Sequence, residues 1–70
     1  MKITQFGTSF HGLPILGYHF GTQGPHVLIL GGVHGDEPEG IAAAWGVLNS
    51  FISDFPYRLR VTIVPQFNMD

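Results

Sequence analysis

The stretch HVLILGGVHGDEPEG, residues 26 to 40, decides the fold of this 70-residue chain. It opens with an apolar run, Val27 to Leu30, that is followed by glycines, and such a run predicts a buried strand. The Asp-Glu-Pro-Glu segment, which precedes an alanine-rich region, predicts the start of a helix. We therefore expect His34 and Glu37 on a strand-to-helix turn, which has the character of an active-site loop.

The residues after this turn complete a βαβ unit. From Pro38 to about Ser53 the apolar residues recur at the helical spacing of three and four. We expect Asp36 and Glu39 to form a capping box at the start of this helix, and the Asp-Phe-Pro segment of residues 54 to 56 to end it. Residues 58 to 65 alternate in polarity and predict a strand. Strand, helix and strand in this order predict an α/β fold with a right-handed crossover.

Two further strands are predicted before this unit, at residues 3 to 6 and 13 to 20, with a turn between them. In the second strand the side chains of Leu16, Tyr18 and Phe20 share one face, and Pro14 stands near its start. This pattern favours a position near the edge of a sheet. The run from Val27 to Leu30, apolar at each position, predicts instead a strand covered on both faces, in a parallel or mixed sheet.

Composition excludes several classes of function. The formal net charge is −2 and the only lysine and arginine residues are Lys2, Arg58 and Arg60, so we expect no nucleic-acid partner. No apolar run approaches the roughly 20 residues of a membrane span, and the first residues lack the apolar segment of a signal peptide. We therefore expect no membrane partner and a cytoplasmic location. Because the chain has no cysteine, histidine and carboxylate side chains must hold any metal.

The predicted elements need more neighbours than seventy residues supply. A strand covered on both faces and a helix with apolar residues nearly all round must each pack against further structure. We therefore expect residues 1–70 to be the N-terminal part of a single larger domain, whose remainder is the partner of this chain. The alternative is a small domain that oligomerisation completes.

His34 and Glu37 form a His-x-x-Glu pattern at the helix entrance. Zinc accepts neutral imidazole and carboxylate ligands, and a catalytic zinc site combines three protein ligands with a water molecule. The pair supplies two ligands, so a third must come from elsewhere. Without a metal, Asp36 and Glu39 are explained as capping residues and the glycines as turn formers. That alternative stays open, although it gives His34 and Glu37 no role and leaves three acids to repel each other around one turn.

Other catalytic patterns are not met. The spacing is neither His-Glu-x-x-His nor His-x-x-Glu-His, and the glycines match neither a dinucleotide-binding nor a phosphate-binding loop. Ser9 lacks the last glycine of a Gly-x-Ser-x-Gly elbow and does not lead into a helix, so we do not predict a serine nucleophile. For His11, His19 and His26 we predict surface or hydrogen-bonded imidazoles.

Three segments resemble one known family. GGVHGDEPEG, residues 31 to 40, is similar to the zinc-binding segment of the M14-type zinc carboxypeptidases, especially the bacterial branch that contains murein peptide amidase A. GTSFHGLPI, residues 7 to 15, resembles the Gly-x-Ser-x-x-Gly-x-Pro-Ile opening of these domains. PQFNMD, residues 65 to 70, resembles the segment that usually contains Asn-Pro-Asp-Gly, with Met69 in place of the proline.

The resemblance implies a three-layer α/β/α mixed-sheet zinc exopeptidase-like fold, of which this chain is the N-terminal strands and one helix. It implies Zn²⁺ as the cofactor, His34 and Glu37 as the first two ligands, and Asn68 and Asp70 as a supporting segment. The second histidine ligand, the general base and the substrate-binding arginines are expected downstream. The resemblance therefore implies a metallopeptidase or amidase that hydrolyses a peptide, and a 70-residue chain that is inactive alone.

Two alternatives to the peptidase stay open. A desuccinylase or aspartoacylase type of hydrolase, which cleaves N-acyl amino acids, shares the His-x-x-Glu pattern. That branch usually carries Asn-Pro-Arg where this chain ends in Asp70, and the aspartate favours the peptidase branch. The other alternative is a non-catalytic fragment or metal-binding module.

Overall fold

The apolar segments of the sequence pair into one four-stranded mixed sheet with a single helix among the described residues. The structure is a computed structural model that describes residues 1–34 and 38–70. The strand order is β1-β2-β4-β3, and only β3 and β4 pair in parallel. The elements are β1 (Lys2–Thr8), β2 (Pro14–Phe20), β3 (His26–Leu30), α1 (Pro38–Ser53) and β4 (Arg60–Val64).

The predicted strand, helix and strand are confirmed. The strands β3 and β4 are parallel neighbours, with Val27 opposite Val61 and Leu30 opposite Val64, and α1 connects them in the chain. The helix spans the predicted residues and ends at Ser53, before the segment that contains Pro56. The predicted capping box involves Asp36, which lies outside the described residues.

A small core forms where α1 packs on the sheet. Ala44 and Leu48 are four residues apart and therefore face the sheet together, while Val61 and Ile63 alternate along β4. Phe20 lies opposite Val61 on the neighbouring strand and joins the same cluster. Leu48 is 1% exposed, and burial of a side chain of this size contributes about 1.5–3 kcal/mol. This core fixes the helix over β2 and β4.

The second strand is next to the edge strand of the sheet, and only the edge position that Pro14 suggested is wrong. β2 is an inner strand that pairs with β1 on one side and with β4 on the other. Pro14 is compatible with this position because it is the first residue of the strand, opposite Thr8 at the end of β1. The predicted division of faces holds, since Tyr18 packs against Trp45 of the helix while His19 contacts Thr62 on the opposite face.

Val27 to Leu30 lies in a mixed sheet, as predicted, but the described chain does not cover this strand on both faces. β3 is an outer strand of the sheet, and Val27, Leu28 and Leu30 are 41%, 54% and 41% exposed. The strand that is buried is β4, from Val61 to its end. An apolar sequence indicates that a strand is suited to burial, whereas its actual burial depends on which elements pack against it. Within the described residues, no helix has the length and apolar character needed to cross a bilayer.

Candidate functional site

The described members of the predicted site, His34, Asn68 and Asp70, lie in the segments that follow the carboxyl ends of β3 and β4. β3 and β4 run in parallel, so their carboxyl ends meet at Leu30 and Val64. One strand continues into the glycine loop, residues 31 to 34, and the other into the tail segment, residues 65 to 70. Loops at the carboxyl ends of parallel strands are the usual place for ligand sites in α/β folds.

Three backbone hydrogen bonds join the glycine loop to β4 and the tail segment. The amide of Gly31 donates to the carbonyl of Val64 at 2.9 Å. The amides of Phe67 and Asn68 then donate to the carbonyls of Gly31 and Gly32 at 2.8 and 2.9 Å. The tail segment therefore lies directly beside the loop, and His34 follows two residues after the last of these contacts.

Close packing explains the two glycines of the loop. A Cβ on Gly31 would lie 2.6 Å from the Ala44 Cβ and 2.6 Å from the Pro65 carbonyl oxygen, so the helix and the tail segment leave no room for a side chain. Gly32 has φ = +60°, and a Cβ there would lie 2.7 Å from Ile41. The interpretation of these glycines as turn formers is therefore incomplete, because Gly31 is required by the approach of three chain segments.

The tail segment is anchored at its far end by three residues, Ser9, His11 and Asp70, which we call the Asp70 clamp. Ser9 Oγ donates to Asp70 Oδ1 at 2.8 Å, and the backbone amide of His11 donates to Oδ2 at 3.3 Å. The His11 Nδ1 lies 3.1 Å from Oδ1. The clamp connects the turn between β1 and β2 to the segment that lies beside the glycine loop.

The clamp contains a serine, a histidine and an aspartate but does not have the connectivity of a catalytic triad. In a triad the imidazole lies between the hydroxyl and the carboxylate. Here Ser9 donates to the carboxylate of Asp70 and accepts a hydrogen bond from the Leu13 amide at 3.0 Å. The serine hydroxyl is therefore engaged in contacts with the Leu13 amide and the Asp70 carboxylate.

These donors lower the pKa of Asp70. The hydrogen bond from Ser9 is the largest cause, and the contacts with His11 add to it, whereas partial desolvation acts in the opposite direction. The net effect holds the pKa of the Asp70 carboxyl below its ordinary value of 3.8. Asp70 is therefore a carboxylate at neutral pH, and its oxygens accept hydrogen bonds from the clamp.

An open groove of about 220 Å³ lies between the clamp and the glycine loop. Its apolar wall includes Phe10, Val33 and Phe67, and its polar wall includes Asn68 and Asp70. Val33 precedes His34, which is an exposed residue. The groove therefore presents both apolar and polar side chains.

The described residues do not form a complete metal site. Across residues 1–34 and 38–70, no three histidine, aspartate or glutamate side chains lie close enough together to hold a metal ion. His34 is described and exposed, whereas Glu37 lies outside the described residues. An exposed imidazole and a carboxylate three residues later are chemically suitable zinc ligands. They fit zinc as part of a larger donor set, and the remaining ligands must come from other residues.

Asn68 and Asp70, predicted as supporting residues, make both local and distant contacts. The Asp70 amide donates to Asn68 Oδ1 at 3.1 Å, which is a local turn contact. The Asp70 carboxylate, however, contacts Ser9 and His11. Sequence reasoning missed this pairing. The available signal was that Ser9 and Asp70 both belong to segments that resemble the same family.

The remaining histidines form hydrogen bonds on the face of the sheet that α1 does not cover. His19 lies between two threonines, with its Nε2 2.6 Å from Thr4 Oγ1 and its Nδ1 2.8 Å from Thr62 Oγ1. His26 Nε2 also contacts Thr62 Oγ1, at 2.7 Å. The prediction of hydrogen-bonded imidazoles is confirmed for both. They lie away from the glycine loop, because His26 begins the strand that ends at Leu30.

Comparisons with protein-family models, with curated proteins and with solved structures give no significant match to this chain.

Proposed function

We propose that His34 and Glu37 are two ligands of a catalytic zinc ion in a metallopeptidase or amidase that hydrolyses a peptide. The observation that carries the proposal is the position of the exposed His34 loop, at the carboxyl ends of two parallel strands and beside the tail segment. The glycine loop and the tail segment, which belong to segments that resemble the same enzyme family, are thus neighbours. A neutral imidazole and a carboxylate three residues later in the sequence are ligand types that zinc accepts in proteins.

We propose further that the chain is the N-terminal part of a three-layer α/β/α zinc exopeptidase-like domain. The exposed side chains of Leu28 and Leu30 support this proposal, because they form an apolar surface on an outer strand. Phe6 adds to the same uncovered face and is 51% exposed. The rest of the domain would cover this face and supply the third ligand and the general base.

The proposal assigns distinct roles to the groups of the chain. When bound, zinc polarises a scissile carbonyl and lowers the pKa of a coordinated water to about 7. His34 would bind through a neutral ring nitrogen and Glu37 through its carboxylate. The groove beside Val33 and Phe67 would contact an apolar part of the peptide. Arg60 takes no part, because it begins β4 at the opposite end of the sheet and its Nε donates to the Gly24 carbonyl at 3.1 Å.

Zinc binding tests the proposal directly on this chain. Titration with Zn²⁺, followed by calorimetry and by the NMR signals of the histidine rings, should shift the His34 resonances first. The His34→Ala and Glu37→Gln variants should each lose affinity by on the order of tenfold or more, because each removes one of two protein ligands. His26→Ala is the matched control, since it removes an imidazole at the other end of β3. Equal affinity in all four proteins would refute the assignment.

Hydrolysis separates the peptidase from the N-acyl amino acid hydrolase. A form of the protein extended beyond Asp70 should cleave peptides and not N-acyl amino acids, while the 70-residue chain should cleave neither. The His34→Ala variant of the extended form should lose both zinc and activity. Preferred cleavage of N-acyl amino acids would favour the alternative enzyme, and an extended form that holds no metal would refute the catalytic proposal.

A further inference from the structure

The Asp70 clamp joins parts of the chain that the strand pairing leaves separate. The turn between β1 and β2 lies at one side of the sheet, and the tail segment leaves β4 in its interior. The hydrogen bond from Ser9 Oγ to Asp70 Oδ1 spans 61 residues of sequence. Since the tail segment also donates two backbone hydrogen bonds to the glycine loop, the clamp and the loop are the two attachments of one short segment.

Ser9 and Asp70 each belong to a turn that has hydrogen bonds of its own. Ser9 accepts from the Leu13 amide, so its single hydroxyl hydrogen is directed to Asp70. The turn that carries Ser9 is closed independently by a backbone hydrogen bond of 2.8 Å from the Ser9 amide to the Leu13 carbonyl. On the other side, the Asp70 amide donates to Asn68 Oδ1. The clamp therefore connects two turns that are each closed by local hydrogen bonds.

The hydrogen-bond donors around Asp70 hold both oxygens of its carboxylate. Its Oδ1 accepts from Ser9 and lies within hydrogen-bond distance of the His11 ring, and its Oδ2 accepts from the His11 amide. A carboxylate held by several donors is stabilised where it is and gains less from moving to a cation. Asp70 is thus suited to hold the tail segment in place.

We propose that the Asp70 clamp is a positioning device for the metal-binding loop. By anchoring the tail segment at Asp70, it keeps the amides of Phe67 and Asn68 on the carbonyls of Gly31 and Gly32, and so fixes the backbone that leads into His34. Ser9 and Asp70 are positioning residues in this assignment, and neither contacts the metal. The effect on metal binding rests on the proposed zinc function. The hydrogen bonds that connect the clamp, the tail segment and the glycine loop do not require zinc.

Amide hydrogen exchange on the metal-free chain tests the coupling. The Asp70→Ala variant should exchange the Phe67 and Asn68 amides faster by about fivefold, the factor expected when one hydrogen bond of ordinary net strength is lost. Ser9→Ala should act in the same direction, and Ser9→Thr should restore protection because it keeps the hydroxyl. The control is Ser53→Ala, a serine whose hydroxyl contacts only the helix carbonyl of Asn49 among the described residues. Equal exchange in Asp70→Ala and Ser53→Ala would overturn the proposal.

Zinc affinity tests the consequence for His34. With Zn²⁺ as the probe, Asp70→Ala should bind severalfold more weakly than Ser53→Ala at equal thermal stability, and Co²⁺ in place of zinc should show an altered absorption band. Faster exchange with unchanged zinc affinity would overturn the positioning role and leave the zinc proposal intact. If the unchanged chain and the extended protein bind no zinc, the proposed function fails, and the exchange result alone then decides whether the clamp couples the two turns.

Discussion

Ser9 Oγ donates a hydrogen bond of 2.8 Å to Asp70 Oδ1, joining the turn after β1 to the last residue of the chain. The Leu13 amide holds the serine and the Asn68 side chain holds the aspartate backbone, so the bond links two ordered turns. It lies at the same end of the sheet as the glycine loop. The geometry of that end therefore depends on contacts between residues far apart in the sequence.

Acid should release the clamp. The pKa of Asp70 is lowered in the folded chain, so the stabilisation from its hydrogen bonds is fully present above the ordinary value of 3.8 and is lost as the pH falls through the lower folded value. Carboxyl ¹³C shifts of Asp70, followed from pH 7 downward, should therefore show a midpoint below the ordinary value of 3.8. Protection of the Asn68 amide should fall over the same range. An Asp70 midpoint at or above 3.8 would contradict the expectation.

Substitution of Gly31 should destabilise the chain. Gly31→Ala would place a Cβ 2.6 Å from both the Ala44 Cβ and the Pro65 carbonyl oxygen, and relief requires movement of backbone. We expect a loss of about 1–3 kcal/mol in the free energy of unfolding, measured by urea denaturation. Gly46→Ala is the control, because nothing lies within 4 Å of its added Cβ and the helix should gain about 0.5–1 kcal/mol. A neutral Gly31→Ala would show that the helix can shift without loss.

Truncation of Leu48 should weaken the core more than truncation elsewhere on the helix. Leu48 is 1% exposed and packs with Val61 and Ile63, so Leu48→Ala removes contacts and leaves a cavity. We expect a loss of about 2–5 kcal/mol. Ile52→Ala, at a position that is 54% exposed, should lose well under half as much. Equal losses in thermal or urea unfolding would mean that the helix packs on the sheet through a different face.

Loss of the Thr62 hydroxyl should remove the hydrogen-bond partner that His19 and His26 share on the face of the sheet opposite α1. Thr62 is 2% exposed, and its Oγ1 contacts the His19 and His26 rings. Thr62→Val keeps the shape but leaves a partly buried imidazole nitrogen without this partner, so we expect a loss of about 1–3 kcal/mol. Thr8→Val, at the exposed end of β1, is the control and should be nearly neutral. The measurement is urea unfolding, together with the ring ¹⁵N shifts of both histidines.

The sequence predicted the local elements of this fold well because each has a local cause. The helix from Pro38 to Ser53 follows from the three- and four-residue spacing of its apolar side chains, and its end follows from the Asp-Phe-Pro segment. The alternation along residues 58 to 65 predicted a strand, and the structure shows that Val61 and Ile63 belong to the core with Ala44 and Leu48 of the helix. The parallel βαβ unit followed from the order of these elements.

Strand neighbours were predicted less well because they depend on pairing across the sheet. Pro14 suggested an edge strand, yet β2 lies inside the sheet, since a proline at the first strand position leaves the later pairing intact. The apolar run of β3 suggested coverage on both faces, yet Leu28 is 54% exposed. The residues of a single strand determine neither the strand order β1-β2-β4-β3 nor how far that strand is buried.

The sequence by itself determined the candidate ligands His34 and Glu37, the absence of thiolate ligands and the short strands and helix that surround the loop. Only the tertiary structure decided that the tail segment lies on the carbonyls of Gly31 and Gly32, that Gly31 is closed in by Ala44, and that Asp70 meets Ser9. The physical reason is that periodicity and capping act between residues a few positions apart. Contacts across 61 residues form only when the sheet brings both turns to one edge.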